Sequence, residues 1–178
     1  MTDPDFDLPE EVRWQGKFIA AKQRGKWEYV GRTRGIRAAV IVAVDDAHVL
    51  LVEQFRVPLG KPCLELPAGL VGDHDSSESI ETSAARELEE ETGYRAERIA
   101  VIGEFASSPG MVSETFSLVR AIGLTKIGDG GGVPGENITV HRVKLDGIGD
   151  FVAQKRAAGT MIDVKLLLLL GAGILAGS

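Results

Sequence analysis

The middle of the chain alternates continuous apolar runs with short polar turns, a pattern typical of strands buried inside a sheet. Ala38–Val44 reads AAVIVAV and Val49–Phe55 reads VLLVEQF, and the polar residues Asp45–His48 predict a turn between two strands. Four further segments predict strands: Cys63–Leu66, Ala100–Phe105, Glu114–Ile122 and Ile138–Leu145. Together with the helices predicted below, they indicate an α/β (α+β) fold with a mixed sheet.

The chain ahead of the first buried strand has a different character. Residues 11–34 predict two strands joined by a turn around Arg24–Lys26. We therefore expect a small N-terminal β segment, residues 1–35, followed by a main domain, residues 36–178.

The C-terminal third predicts a loop and two helices. Thr125–Asn137 is rich in glycine, which predicts a loop, and helices are predicted at about 148–157 and 161–176. Leu166–Gly177 is apolar but falls short of the roughly 20 residues that span a bilayer. We expect it to be a buried or interface helix, and we expect no membrane partner.

One helix is marked by its capping residues at both ends. Ser79 is a good N-cap residue and Gly93 a good C′ residue, and nothing between them breaks a helix. Ile80, Ala84 and Leu88 recur every four residues, which predicts a buried stripe along this helix.

The same helix carries a cluster of carboxylates. Glu87, Glu90 and Glu91 lie at i, i+3 and i+4, so their side chains share one face. Mg²⁺ prefers carboxylate oxygens and leaves positions for water and phosphate. Arg86 precedes Glu90 by four residues and is placed to orient it. A solvated acidic helix is the alternative reading of such a charge run.

Composition limits the partners and the compartment. The 178 residues carry a net charge of −6, which argues against a nucleic-acid partner. Cys63 is the single cysteine, so an intrachain disulfide is excluded and a reducing compartment is favoured. The acidic N terminus does not read as a secretory signal. We expect a cytoplasmic protein.

The segment Gly72–Tyr94 has a spacing that is specific to one family. Gly72 is followed after five residues by Glu78, and after seven more by the run RELEEETGY, which begins at Arg86. This is the box G-x5-E-x7-R-E-U-x-E-E-x-G-U with every fixed position filled. The chain is identified by it as a member of the Nudix hydrolases, which cleave a nucleoside diphosphate linked to another moiety. The resemblance implies the Nudix fold, an α/β/α sandwich.

Segments outside the box resemble the ADP-ribose pyrophosphatase branch of that family. They are Pro109 in SSPG, Val52–Arg56 (VEQFR), Glu65–Gly69 (ELPAG) and Trp27–Val30 (WEYV). The resemblance implies metal-dependent hydrolysis of ADP-ribose, or of a related nucleoside diphosphate sugar, to AMP and ribose 5-phosphate. A GDP-mannose or other sugar specificity is the alternative, and a non-catalytic nucleotide-sugar sensor is a third possibility.

The resemblance also assigns metal ligands. It implies that Glu87 and Glu91 are the principal ligands of Mg²⁺, with Mn²⁺ as a substitute, and that Glu90 adds a further or bridging carboxylate. The main-chain carbonyl of Ala68 would complete the coordination. Gly69 and Gly72 compete for the structural turn before the helix, and we expect Gly69 to make it because it directly follows a strand.

The remaining roles are implied in the same way. Glu136, in the glycine-rich loop, would be the catalytic base, with Glu90 and Arg86 assisting; an exposed loop acid is the alternative for Glu136. Substrate contacts would come from five residues: Trp27, Phe18, Arg56, Glu65 and Pro109. Ordinary packing for Phe18, a surface ion pair for Arg56 and a sheet-capping role for Glu65 remain open. Relatives in this branch form homodimers through their N-terminal strands, so a homodimer is expected here.

Overall fold

The computed structural model describes residues 3–33, 36–72 and 77–176. Near the N terminus, a short 3-10 turn is followed by an antiparallel three-stranded sheet in the order β1-β2-β3. Its strands are β1 (Glu11–Gln15), β2 (Ile19–Arg24) and β3 (Trp27–Arg32). The predicted turn around Gly25 joins β2 to β3, and this glycine has a φ of +55°. The sequence pattern predicted two strands here; the additional one is β1, all of whose residues are exposed.

The second sheet has eight strands among the described residues, in the order β11-β6-β5-β4-β9-β8, with β10 paired to β5 and β7 paired to β4. The strands are β4 (Arg37–Asp45), β5 (His48–Arg56), β6 (Lys61–Glu65), β7 (Ala68–Val71), β8 (Tyr94–Ala106), β9 (Thr115–Lys126), β10 (Thr139–Lys144) and β11 (Met161–Ile162). The pairs β4–β9 and β6–β11 are parallel and the others antiparallel, so the predicted mixed sheet is confirmed.

Helices cover both faces of this sheet. They are α1 (Ile80–Thr92), α2 (Ile148–Ala157) and α3 (Leu167–Ala176). On one face, Ala84 and Leu88 of α1 pack with Ile41 and Leu50. On the other face, a second core joins α2 to the sheet and to the segment before α3 through Leu51, Leu64, Val152 and Leu166. The α/β/α sandwich is therefore confirmed.

The ends of α1 follow from its capping residues. The Ser79 hydroxyl accepts a hydrogen bond from the Thr82 N–H at 3.2 Å. At the other end, Gly93 adopts a left-handed φ of +73°, and its N–H donates to the Glu89 carbonyl at 2.9 Å. Both predicted caps are confirmed, and Ala84 and Leu88 of the predicted stripe are fully buried.

The expected helix at 161–176 is wrong over its first six residues. Met161–Ile162 pair with Cys63 and Leu64 as a short parallel strand, and Asp163 then caps a 3-10 turn that ends at Leu166. The helix begins only at Leu167. Two residues are too few to show an alternation of apolar and polar positions, so the sequence pattern did not reveal this strand.

The surface of α3 is not fully covered in the single chain. Leu167, Leu168 and Ile174 are exposed, whereas Leu169 and Leu170 pack against the core. Among the described residues, no helix is long and apolar enough to cross a membrane.

Candidate active site

A cavity of about 570 Å³ opens beside α1. It lies between the carboxylate face of α1, the strand β7, the ends of β5 and β6, and the glycine-rich loop that precedes β10. Of the residues predicted to form the site, eight line this one cavity: Arg56, Glu65, Ala68, Arg86, Glu87, Glu90, Glu91 and Glu136.

The strand β7 lies directly against the carboxylates of α1. The Ala68 N–H donates to Glu91 Oε2 at 3.0 Å, and the Glu91 side chain is buried. Gly69 has no side chain because there is no room for one: a Cβ atom there would overlap the Cγ and Cδ atoms of Glu87. The turn that follows is made by Gly72, whose φ is +85°. Our expectation that Gly69 makes this turn is therefore wrong; its role is the close approach to Glu87.

Arg86 holds two of the carboxylates. Its Nη1 lies 2.8 Å from Glu87 Oε1 and 3.3 Å from Glu90 Oε2, and its Nε lies 3.5 Å from Glu78 Oε1. Arg86 and Glu78, two fixed residues of the box, therefore lie close together. Since a planar guanidinium can bond two carboxylates at once, Arg86 sets the direction in which Glu87 and Glu90 point.

Burying these carboxylates makes their charged forms unfavourable when no cation is bound. The pKa of Glu91 is raised to about 8, mainly by burial; the Ala68 N–H opposes this rise, and nearby Glu87 and Glu136 add to it. Burial also raises the pKa of Glu87, although Arg86 opposes this. A bound divalent cation would favour the charged forms of both residues. The donor set therefore fits a hard metal ion.

The side chains are not already gathered around one point. Among the described residues, no group of three or more histidine, cysteine, aspartate or glutamate side chains stands ready to hold a metal ion. Glu87 and Glu90 turn toward Arg86, and Glu91 turns toward the Ala68 N–H. A metal ion would have to draw Glu87 and Glu90 partly away from Arg86.

The glycine-rich loop is anchored to the C-terminal end of α1. The N–H groups of Gly131 and Gly132 donate to the carbonyls of Glu91 and Glu90 at 2.9 and 3.0 Å. These are carbonyls that the helix leaves unpaired at its end. The anchored loop brings Glu136 to the cavity, where its exposed carboxylate accepts a hydrogen bond from the Val133 N–H at 2.9 Å.

Arg56 and Glu65 form one rigid pair on the wall of the cavity. Two nearly parallel hydrogen bonds of 2.6 and 2.8 Å join the guanidinium to the carboxylate. The bond to Glu65 raises the pKa of Arg56 against the effect of its burial. Since Glu65 is buried, the pair is part of the cavity wall, unlike an ordinary surface ion pair.

The other predicted substrate contacts lie elsewhere in the single chain. Trp27 and Pro109 line a second cavity of about 560 Å³, between the N-terminal sheet and the loop that precedes β9. Two hydrogen bonds of 2.9 Å, from Val30 to Met111 and from Ser113 to Val30, join that sheet to that loop. Phe18 is exposed in the turn between β1 and β2. The structure therefore separates the aromatic residues from the carboxylates.

The cavity beside α1 also contains residues to which sequence analysis gave no role. Arg32, at the end of β3, bonds to Glu114 at 2.5 Å, and Gln54 and Lys165 face the same space. Gln54 lies two positions before Arg56 on β5, so the strand alternation was a signal that could have found it. Lys165 gave no such signal, because its segment was expected to be a regular helix.

Comparison with known proteins identifies the family. The NUDIX domain model matches residues 34–153. A methanol dehydrogenase activator of Bacillus methanolicus is 36% identical over 74% of this chain and 71% of its own length. An uncharacterised Nudix hydrolase of Schizosaccharomyces pombe is 34% identical over 92% of this chain and 83% of its own. An ADP-ribose pyrophosphatase of Bacillus subtilis is 42% identical over 43% of this chain and 40% of its own.

A solved structure described as an ADP compounds hydrolase superposes with a TM-score of 0.68 and 21% identity, over 96% of this chain and 94% of that one. It supports the fold. The chain belongs to the Nudix family, and the predicted resemblance to ADP-ribose pyrophosphatases is confirmed. It is accordingly a Nudix hydrolase, an enzyme.

Proposed function

We propose that this enzyme hydrolyses the diphosphate of ADP-ribose, or of a closely related ADP-sugar, to AMP and a sugar phosphate. The observation that carries the proposal is the single cavity that holds the box carboxylates, Glu136 and the Arg56–Glu65 pair together. Matched proteins named ADP-ribose pyrophosphatase in Bacillus subtilis and ADP-sugar pyrophosphatase in Mus musculus support the substrate class.

The proposed cofactor is Mg²⁺, with Mn²⁺ as a substitute. Glu87, Glu90 and Glu91 would hold it, with the main-chain carbonyl of Ala68 as a further ligand. When bound, such an ion neutralises the diphosphate and activates a water molecule. The raised pKa values of Glu87 and Glu91 support this assignment, since a cation would relieve the cost of burying their charges.

The chain's own groups would perform the other tasks. Arg86 keeps Glu87 and Glu90 directed into the cavity. Glu136 accepts the proton of the attacking water, and its exposed position on a glycine-flanked loop allows it to approach the substrate. The Arg56–Glu65 pair presents a fixed guanidinium to the diphosphate or the ribose. Trp27, Phe18 and Pro109 would contact the base.

A substrate panel tests the specificity. ADP-ribose, ADP-glucose, GDP-mannose, NADH and diadenosine polyphosphates would be incubated with the enzyme and Mg²⁺, and the released nucleoside monophosphate measured. We expect a clear preference for ADP-ribose. A GDP-sugar-led or flat profile would contradict the substrate, and no turnover of any compound would favour the nucleotide-sugar sensor instead.

The metal assignment is tested by Glu91→Gln. This change keeps the size of the side chain but removes the charge, so we expect turnover at saturating Mg²⁺ to fall by roughly 100-fold or more. The matched control is Glu89→Gln on the same helix, because Glu89 pairs with Arg95 at 2.7 Å on the surface. Full turnover by the Glu91 variant at saturating Mg²⁺ would show that Glu91 is not a metal ligand.

A further inference from the structure

The cavity beside α1 is lined by positive side chains that are each paired with a carboxylate. Among the described residues that line it, the arginines and the lysine all make an ion pair of 2.5 to 2.8 Å. The pairs are Arg32–Glu114, Arg56–Glu65, Arg86–Glu87 and Lys165–Asp163. An anionic substrate gains a direct contact only where one of these cations can leave its partner.

Three of the cations are costly to release. Freeing Arg56 would leave a carboxylate unpaired whose side chain is only 8% exposed. Burying an unpaired charge is strongly unfavourable. Arg86 holds box glutamates in place, and the bond from Arg32 to Glu114 ties the N-terminal sheet to the start of β9. Each of these pairs has a structural task.

Lys165 differs because its partner carboxylate keeps a hydrogen bond without the ammonium and is partly open to solvent. Asp163 Oδ1 accepts a hydrogen bond from the Lys165 backbone N–H at 2.8 Å and thereby caps the 3-10 turn Val164–Leu166. The ammonium contacts the other oxygen, Oδ2, at 2.7 Å. If the ammonium moved away, the Asp163 carboxylate would keep its backbone partner.

Lys165 also has the position and the flexibility to reach into the cavity. Its Nζ lies 5.7 Å from the centre of the Phe116 ring, and its side chain is 20% exposed. Phe116 lines the same cavity as Gln54 and Arg56. A lysine side chain has a long rotatable stem and three donors, so it can follow a phosphate group that a fixed arginine pair cannot.

We propose that Lys165 is a substrate-binding residue whose ammonium leaves Asp163 and binds a phosphate oxygen of the substrate's diphosphate. This inference rests on the proposed function, since it takes a diphosphate as the ligand. It assigns a binding task to the segment between β11 and α3, which lies outside the box and its flanking motifs.

Kinetics on ADP-ribose with Mg²⁺ provide the first test. Lys165→Met keeps the apolar stem against Phe116 but removes the charge, and a charge-assisted hydrogen bond is worth about tenfold or more in affinity. We expect KM to rise about tenfold with a smaller change in kcat, and Lys165→Arg to recover part of the loss. Lys144→Met, which removes an exposed lysine at the far end of β10, is the control.

Asp163→Asn separates binding from a merely structural role. The asparagine side chain retains an oxygen to cap the 3-10 turn but no longer holds the ammonium by charge. If Lys165 binds substrate, the released ammonium should lower KM in this variant, opposite to the rise expected for Lys165→Met. If the ion pair only stabilises the turn, both variants should lower the stability alike and leave KM unchanged, which would overturn the proposal.

A binding measurement keeps this inference separate from the substrate assignment. Isothermal titration with methylenediphosphonate, a diphosphate that cannot be hydrolysed, at constant Mg²⁺ requires no turnover. Binding to the wild type that weakens about tenfold in Lys165→Met supports the inference, even if ADP-ribose proves to be the wrong substrate. Equal binding by both proteins, or no binding by the wild type, would overturn it.

Discussion

At the scale of single residues, the site depends on how closely β7 approaches α1. Gly69 fits against Glu87 only because it lacks a Cβ atom, and the neighbouring Ala68 N–H fixes Glu91. The position of two proposed metal ligands is thus determined by one strand of four residues, Ala68–Val71.

Replacing Gly69 by alanine tests this dependence. The added methyl group would push Glu87 away from its place, so we expect turnover to fall at least tenfold and the apparent affinity for Mg²⁺ to weaken. The measurement is kcat as a function of Mg²⁺ concentration. Gly149→Ala is the control: a Cβ atom there meets nothing within 4 Å, and in the helix α2 the change should stabilise the protein by up to about 1 kcal/mol. Unaltered Mg²⁺ dependence in the Gly69 variant would contradict this account.

The glutamates of the site could be predicted from the sequence, but the roles of its glycines could not. The spacing of Glu87, Glu90 and Glu91 along one helix was sufficient to place them on a common face, because helix geometry is local. Our prediction assigned the turn to Gly69, whereas Gly72 makes it. Whether a glycine makes a turn or allows a close approach depends on a distant side chain, which the local sequence does not reveal.

Among the elements, the face of the sheet that α2 covers is held by a partly buried network of polar side chains. Glu53 of β5 accepts hydrogen bonds from Lys155 of α2 at 2.5 Å, His141 of β10 at 2.8 Å and Thr160 at 3.0 Å. Burial alone would raise the pKa of Glu53, but these hydrogen bonds outweigh it and lower the pKa. The charged carboxylate therefore ties three elements together.

The network predicts a pH-dependent effect of Glu53→Gln. A lowered folded pKa stabilises the protein fully above the ordinary glutamate value of 4.5, and this contribution is lost as the pH falls through the folded pKa. We expect the variant to be less stable than the wild type by about 1–3 kcal/mol near pH 6. The difference should shrink as the pH falls below 4.5 and through the lowered pKa of folded Glu53.

Urea unfolding at several pH values measures that difference. The control is Glu97→Gln, an exposed glutamate on β8, which should change the stability by less than about 0.5 kcal/mol at every pH. A stability difference for Glu53→Gln that stays constant from pH 6 to pH 3 would show that the charge of Glu53 is not what holds the elements together.

Elements differ in how well sequence analysis found them. The long apolar strands β4 and β5 and the doubly capped α1 were predicted because their signals lie within one segment. The short strands β1, β7 and β11 were missed. Each is stabilised by pairing with another strand, β1 with β2, β7 with β4 and β11 with β6, and such pairing leaves no pattern within so short a segment.

In the whole molecule, the predicted site residues are divided between two separate cavities. The carboxylates line one cavity, while Trp27 and Pro109 line the other. The N-terminal sheet, with the turn between β1 and β2, also exposes several large apolar side chains: Val12, Trp14, Phe18, Ile19 and Trp27. Clustered exposed apolar groups are typical of an interaction surface. This supports the homodimer predicted from the sequence, with the N-terminal sheet as its interface.

The predicted dimer has a measurable mass and a surface that can be disrupted. Size-exclusion chromatography with light scattering should give twice the 19.0 kDa mass of the chain. Trp14→Glu, which places a charge on β1, should yield a monomer. Leu168→Glu on α3 is the matched control, because both side chains are 58% exposed. If the Leu168 variant dissociates and the Trp14 variant does not, α3 is the interface.

A monomer mass for the wild type would contradict the dimer altogether. If the dimer exists and the Trp14 variant separates it, activity provides a second readout. Trp27 and the carboxylates line different cavities of one chain, so base contacts supplied by a partner chain would be lost on dissociation. KM for ADP-ribose should then rise in the Trp14 variant, whereas a monomeric variant with unchanged KM would show that each chain binds the base by itself.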